Sequence, residues 1–321
     1  MSSSSAMIDR YSDLMRTIEM EIGTYSLQTF MLDALRDTVN AYEGNSMENF
    51  CEQMNAIINI VTSTQPKFSS IIDCYFTFRD HALHVQEKHP GCFCEQKQYL
   101  LEGLAAIQSK SEEDYLKLLH QTKHLNFNGK NILIHDHSTS VQDTLWTLKK
   151  NGQHFRVIVA EQDSEKTLNI IETLTRRSIP FHTVPAYMIS NIEDDIDVCL
   201  FGCLTLKNTY DFVVDTGTTA IVTQCHMRKI PIYVVLTTSK FALWDATTKD
   251  VNQVKHTRKH PWKDITFERL KFSHDRIPLT DVDWVLTEKG IHSHDELRSL
   301  YDSHFKKRKL QEQSMKEEES K

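Results

Sequence analysis

The chain has 321 residues, 40% of them hydrophobic and 25% charged, the proportions of an ordinary globular protein with material for one large or two modest domains. Its net charge of −7, with Lys and Arg not gathered on one predicted face, excludes an electrostatic footprint for nucleic acid. No apolar run is long enough to span a bilayer, and the opening MSSSSAMIDRYSDLM lacks the basic and apolar regions of a secretory signal, so no membrane partner is expected.

Residues 1–6 are expected to be disordered. From residue 7 to about 125, apolar residues recur at helical spacing: Leu27, Phe30, Met31 and Leu35, then Phe50, Met54, Ile57, Ile58 and Val61, then two further stretches over 71–85 and 99–119. Pro66 and the pair Pro90-Gly91 punctuate them. This spacing predicts an all-helical domain of four or five helices packed as a bundle. Phe30, Met31, Phe50, Met54, Phe76 and Phe78 are expected to fill mostly its core, some of them facing the rest of the chain or a partner.

From 126 to 305 short apolar runs alternate with helical segments. NILIHD (131–136) reads as a strand, and Thr139 or Ser140 is expected to cap the helix VQDTLWTLKK, which stops at Asn151-Gly152. Further strands are expected at 155–161, 179–185, 197–202, 230–237 and 282–287, with helices after most of them, AYMISNIE being a short one. The strands lack period-two alternation, so both faces should be covered. The predicted fold is α/β: a helical domain followed by a doubly wound, mostly parallel, Rossmann-like sheet. The stretch 245–280 reads as polar and irregular, with Lys255, His256, Arg258, Lys259 and His260 ahead of Pro261-Trp262. Ser293 and Glu296 form a capping box for a last helix, and residues 306–321 read as a charged tail, a frayed helix end or disorder.

In open α/β sheets ligands bind at the carboxyl ends of the strands. There the chain offers His135, Asp136, His137, Ser138, Glu161, Gln162, Gly202, Cys203, Thr216, Gly217, Thr218, Thr238 and Lys240. DTGTT (215–219) feeds a helix N-terminus, a natural anion seat, yet Asp215 places a carboxylate where a phosphate would want a cation. His135 and Asp136 have the chemistry of an acid–base pair. No nucleophile–base–orienter set can be fixed from spacing, so capping and loop closure are the preferred roles of these side chains. His81, His84, His89, Cys92 and Cys94 invite a zinc reading, but Cys-x-Cys is not the usual knuckle spacing, and no metal is expected. Seven cysteines, scattered and odd in number, suggest free thiols in a reducing compartment, with cytosol as the expected location. Gly-x-Gly-x-x-Gly and Gly-Lys-Ser/Thr loops are missing, and no cofactor is expected.

ILIHDHSTSVQDTL resembles the His-x-Tyr-Ser-Arg stretch of the regulatory subunits (alpha, beta, delta) of translation initiation factor 2B. VIVAEQD, DVCLFGCLTL, VVDTGTTAI and IPIYVVLTTSKF resemble that family's Val-x-Thr-Glu-Ser, Asp-x-Val-x-x-Gly-Ala-Glu-Gly, Asn-Lys-Ile-Gly-Thr and Lys-Pro-Phe-Tyr-Val-Val segments, in order and without a gap from Gly217 to Phe241. HPWKDIT and VDWVLTEKGIHSHDELRSLY are similar to the end of the alpha subunit, the best fit to this short chain. The resemblance covers about the last 190 residues.

It implies a non-catalytic regulatory subunit of the guanine-nucleotide exchange factor for initiation factor 2. Expected partners are the beta and delta subunits, a second copy, and initiation factor 2 phosphorylated on its alpha subunit. Arg36, Lys67 and Arg79 are candidate contacts. The family shares its fold with isomerases of methylthioribose-1-phosphate and ribose-1,5-bisphosphate, which use a Cys and an Asp. Those positions match Asp136 and Leu204 here, while Thr139 and Val214-Asp215 replace an Arg and an Asn-Lys that would hold phosphate. The resemblance therefore implies a vestigial pocket at His135, Ser138, Glu161, Gly202, Thr216, Gly217, Thr218 and Lys240, with no catalytic residue. The rivals are an aldose–ketose isomerase, proton transfer having passed to His135, Asp136 or Cys203, and a sugar-phosphate-binding sensor.

Overall fold

A computed structural model of the chain describes residues 3–44, 46–64, 66–162, 164–243, 253–259, 266–272 and 274–319. Four long helices come first: α1 (Ser3–Ala41), α2 (Met47–Ser63), α3 (Ser69–Lys88) and α4 (Phe93–Gln121). Helix α1 starts earlier than residue 7 and is broken at Gly23, whose φ of 77° and ψ of 160° are not helical. In α2 the apolar residues Phe50, Met54, Ile58 and Val61 share the buried face, and the Ser46 hydroxyl accepts from the Asn49 N–H at 3.3 Å. The bundle core gathers Leu27, Leu35, Phe50, Phe78 and Leu104, and it takes in Leu204 and Val213 from the second half of the chain. The two halves therefore meet through shared apolar packing. Of the aromatic and Met positions expected there, Met31, Phe50, Met54 and Phe78 are buried, Phe76 packs at the edge and Phe30 is exposed.

The second half is a seven-stranded sheet in the order β12-β11-β7-β4-β1-β2-β3. Its strands are β1 (Asn131–Ile134), β2 (Arg156–Glu161), β3 (Phe181–Pro185), β4 (Val198–Gly202), β7 (Ile232–Val235), β11 (Trp284–Thr287) and β12 (Gly290–His292), all parallel except β12. Helices α5 (Thr139–Lys150), α6 (Ser164–Arg176), α7 (Thr218–Met227) and α8 (His294–Glu319) accompany it. Strand order reverses on either side of β1 and β4, so the doubly wound expectation holds, and Ile132, Leu133, Ile134 and Val157 to Ala160 are buried.

Several local readings are corrected. The cap of α5 is Ser138, not Thr139 or Ser140, because Ser138 is the last extended residue and its hydroxyl accepts from the Val141 N–H at 3.4 Å. AYMISNIE forms a tight 3-10 helix over Ala186–Asn191. Strands β5 (Thr205–Leu206), β6 (Asp211–Val214) and β10 (Asp275–Pro278) make a small second sheet that sequence reading missed. Within 245–280, β8 (Gln253–Lys259) and β9 (Thr266–Phe272) pair as an antiparallel hairpin. The paired backbone stabilises strands there despite their polar composition. His260 and Pro261-Trp262 lie outside the described residues. Half of the capping box of α8 forms, Glu296 accepting from the Ser293 N–H at 2.8 Å, while the Ser293 hydroxyl donates to the same carboxylate at 2.8 Å. The charged segment from 306 continues α8 to Glu319, and Arg308 ties that helix to α3, donating to Asp80 at 2.7 Å and lying over the Phe76 ring.

Candidate functional site

Strands β1 and β4 end side by side, and α1 of the helical half closes over them. The resulting cleft is lined by Glu19 and Thr24 of α1, by Asp136, Ser138 and Thr139 after β1, and by Gly202, Cys203, Leu204, Asp215 and Lys240. Its volume is about 20 Å³, room for one water molecule and not for a sugar phosphate.

Asp136 forms the floor. One of its carboxylate oxygens, Oδ2, accepts from the Gly202 N–H at 2.9 Å, while Oδ1 is buried with no hydrogen-bond partner among the described residues. Burial, aided by the nearby Asp215 charge, pushes the carboxyl up to about 7. Gly202 is required here: a Cβ would stand 2.2 Å from Ser138 Oγ and 2.8 Å from Asp136 Oδ2.

Asp215 is held by cations from two distant elements. Arg16 Nη2 donates to Oδ1 at 2.5 Å, and Lys166 Nζ of α6 donates to Oδ2 at 3.0 Å. Arg16 Nη1 also donates to Glu19 at 2.6 Å, and Glu19 accepts from Thr24 at 3.1 Å. Burial would raise the Asp215 carboxyl, but Arg16 and Lys166 overcome that and hold it well below the usual carboxylate range. Glu19, served by Arg16 alone among these cations at hydrogen-bond range, is raised by its burial.

The anion seat at the start of α7 is filled from within. Gly217 (φ 100°) precedes the helix, and Asp275 Oδ2 accepts from the Gly217 N–H at 2.8 Å and the Thr219 N–H at 3.1 Å. Thr216 Oγ1 donates to the Phe272 carbonyl at 3.0 Å and Thr218 Oγ1 to the Asp215 carbonyl at 2.7 Å.

Of the eight residues expected to line a pocket, Ser138, Gly202 and Lys240 do so. The Lys240 ammonium is buried and donates to the Cys203 carbonyl at 2.7 Å. His135 lies behind the cleft, its Nδ1 3.0 Å from the Ala160 carbonyl and its Nε2 3.3 Å from the Thr216 carbonyl, and burial lowers its pKa. Glu161, Thr216, Gly217 and Thr218 are outside the cleft lining. Arg16, Glu19, Lys166 and Asp275 were missed. Only Asp215, standing where a cation was wanted, signalled in the sequence that compensating charges had to come from elsewhere.

The zinc and free-thiol readings resolve differently. Cys92 and Cys94 form a disulfide, their Cα atoms 5.3 Å apart at the start of α4, which corrects the expectation of seven free thiols. The five free cysteines are buried, and burial pushes the Cys203 thiol up to about 12. His81 Nε2 lies 2.9 Å from the Tyr99 carbonyl and His89 stacks on the Tyr99 ring. Among the described residues no three or more His, Cys, Asp or Glu side chains form a metal-binding group. No described helix is long and apolar enough to cross a membrane. Arg36 and Arg79, candidate contacts in the helical half, pair with Asp33 and Asp80 at 2.6 and 2.7 Å.

This arrangement, a helical bundle closed over a doubly wound sheet, matches a known class of protein. The model of the initiation factor 2 subunit family matches residues 21–294, and the chain belongs to that family. A putative translation initiation factor eIF-2B subunit 2-like protein of Pyrococcus furiosus is 27% identical over 128 residues, 40% of this chain and 46% of that protein. The translation initiation factor eIF2B subunit alpha of Caenorhabditis elegans is 27% identical over 112 residues, 35% and 37% of the two chains. The chain thus spans less than half the length of these curated relatives.

Solved structures extend the likeness of fold. The translation initiation factor eIF-2B of Pyrococcus horikoshii superposes with a TM-score of 0.68 at 16% identity, covering 92% of this chain and 98% of that one. A chain of the tetrameric eIF2B-beta2-delta2 complex of C. thermophilum gives 0.68 at 15%, covering 94% and 96%. The 5-methylthioribose 1-phosphate isomerase of P. horikoshii gives 0.66 at 14%, covering 92% and 86%. Initiation-factor subunits and isomerases therefore share this fold.

Proposed function

We propose that this chain is a non-catalytic, alpha-type regulatory subunit of the guanine-nucleotide exchange factor for initiation factor 2, working in the cytosol. Its partners are the beta and delta subunits, a second copy of itself, and initiation factor 2 phosphorylated on its alpha subunit. Membership of the initiation factor 2 subunit family and a relative called eIF2B subunit alpha support the reading. The observation that carries it is the closed cleft, in which Asp215 is neutralised by Arg16 and Lys166 and the α7 N-terminus is covered by Asp275. A phosphate arriving there meets neither a free cation nor free amides on these groups. Recognition of a phosphorylated protein needs no proton transfer, only surfaces whose affinity changes with added charge.

The test is recovery of the tagged chain from its own cells. Co-purification of the other exchange-factor subunits and initiation factor 2 in near-stoichiometric amounts is expected. A lone homodimer would reject the partner set.

One observation favours a second reading, an aldose–ketose isomerase: Asp136 holds its proton up to about 7 at the position matched to the isomerase cysteine. Leu204 at the position of the second catalytic group weighs against it. Turnover of a ribose-type phosphate, lost in Asp136→Ala, would establish it.

A further inference from the structure

Residues 3–22 belong to α1 but are not continuous with it. The backbone of Gly23 occupies a region open in practice only to glycine, and it breaks the helical path before Thr24. Beyond the break, Leu27, Met31, Leu32, Leu35 and Val39 anchor the helix in the bundle core. Before it, Met15 is the one fully buried apolar side chain among those described; Tyr11 and Ile18 are half-buried, and Leu14 and Ile22 are exposed. What this segment sets into the α/β half is the Arg16 guanidinium, gripped between Glu19 and Asp215. An element with few apolar contacts opens at lower free energy than the fold as a whole.

We propose that the Asp215 carboxylate at the cleft wall is a seat for a guanidinium group, occupied in cis by Arg16, and that residues 3–22 swing about Gly23 to vacate it. The planar fork of a guanidinium suits a site of converging carboxylate oxygens better than a point-charge ammonium. With the segment withdrawn, Asp215 Oδ1 loses its donor. Asp136 lines the same cleft, and its Oδ1 is buried with no hydrogen-bond partner among the described residues. Lys166 remains on the other oxygen of Asp215. An incoming guanidinium-bearing molecule thus takes over the charge that Arg16 supplied. This inference does not depend on the subunit reading.

Cys203 lines the cleft at 5% exposure and reports its opening. The intact protein would be treated with iodoacetamide and each cysteine followed by peptide mass. Arg16→Ala is expected to speed alkylation of Cys203 about tenfold, leaving Cys51, Cys74, Cys199 and Cys225 unchanged. Millimolar methylguanidinium should return Cys203 towards the wild-type rate, and tetramethylammonium at equal ionic strength should not. Unchanged Cys203 alkylation, simultaneous alkylation of all the free cysteines, or failure of methylguanidinium to protect would each overturn the proposal. Hydrogen exchange of the unmodified protein supplies an independent check. Amides of 8–22 must exchange about tenfold faster than those of 27–39, and equal protection would mean that α1 opens only as one piece.

Discussion

At the scale of single residues, Asp136 and Asp215 show how one environment produces two opposite carboxylates. Both line the cleft, Asp136 just after β1 of the large sheet and Asp215 just after β6 of the small one. Asp215 receives two cations and stays charged; Asp136 receives backbone N–H groups but no cation at hydrogen-bond range and stays protonated up to about 7. The unfolded chain releases the Asp136 proton near its ordinary value of 3.8, so folding is penalised increasingly as pH rises from there to about 7. Stability from this group is fully present at low pH and lost through neutrality. Asp136→Asn removes the titration, so the variant should be more stable than wild type at pH 8 by a few kcal/mol, on the order of 1.4 kcal/mol for each tenfold difference in acidity between the folded and unfolded chains. The advantage should shrink towards pH 4. Thermal unfolding of both proteins across that range checks it, and a difference independent of pH would contradict it. The sequence made Asp215 legible as a misfit against the family pattern, but not its remedy. Arg16 lies 199 positions away, and no local spacing connects the two.

At the scale of elements, the seating of α1 against α5 turns on Gly23. A side chain at Gly23 would have to adopt a glycine-only conformation and would set its Cβ 2.1 Å from Thr139 Oγ1. Gly152 has a similar φ of 82° with open space around it. Gly152→Ala should therefore cost about 1 kcal/mol by urea unfolding, from backbone strain alone, and Gly23→Ala clearly more, about 2–4 kcal/mol. Equal losses would mean that the fit of α1 against α5 is not tight. The helices and buried strands were readable because apolar spacing is local and strong: Phe50, Met54, Ile58 and Val61 announce a helix, and Ile132 to Ile134 a covered strand. Strands β5, β6 and β10 were not, since the pairing of β6 with β10 joins segments about 60 residues apart and only the tertiary contact selects it. The β8–β9 hairpin escaped for a related reason. Its register is set by paired backbones, not by an alternating apolar face, and Phe267, Leu270 and Phe272 remain exposed.

Taken as a whole molecule, the chain keeps a frame shared by initiation-factor subunits and a sugar-phosphate isomerase while its cleft is closed to about 20 Å³ by its own side chains. Arg16, one of the charges on Asp215, comes from the helical half, outside the last 190 or so residues that carry the sequence resemblance. That is why sequence reading placed Ser138, Gly202 and Lys240 at the cleft but spread the remaining candidates along the strand ends, where His135 and Gly217 serve other contacts instead. The proposed regulatory role rests on this narrow, internally neutralised cleft within a shared scaffold. Its most direct test is the rate of GDP release from initiation factor 2, catalysed by the exchange complex assembled with and without this chain. The account predicts that initiation factor 2 phosphorylated on its alpha subunit slows release only when the chain is present. Equal inhibition in its absence would contradict it.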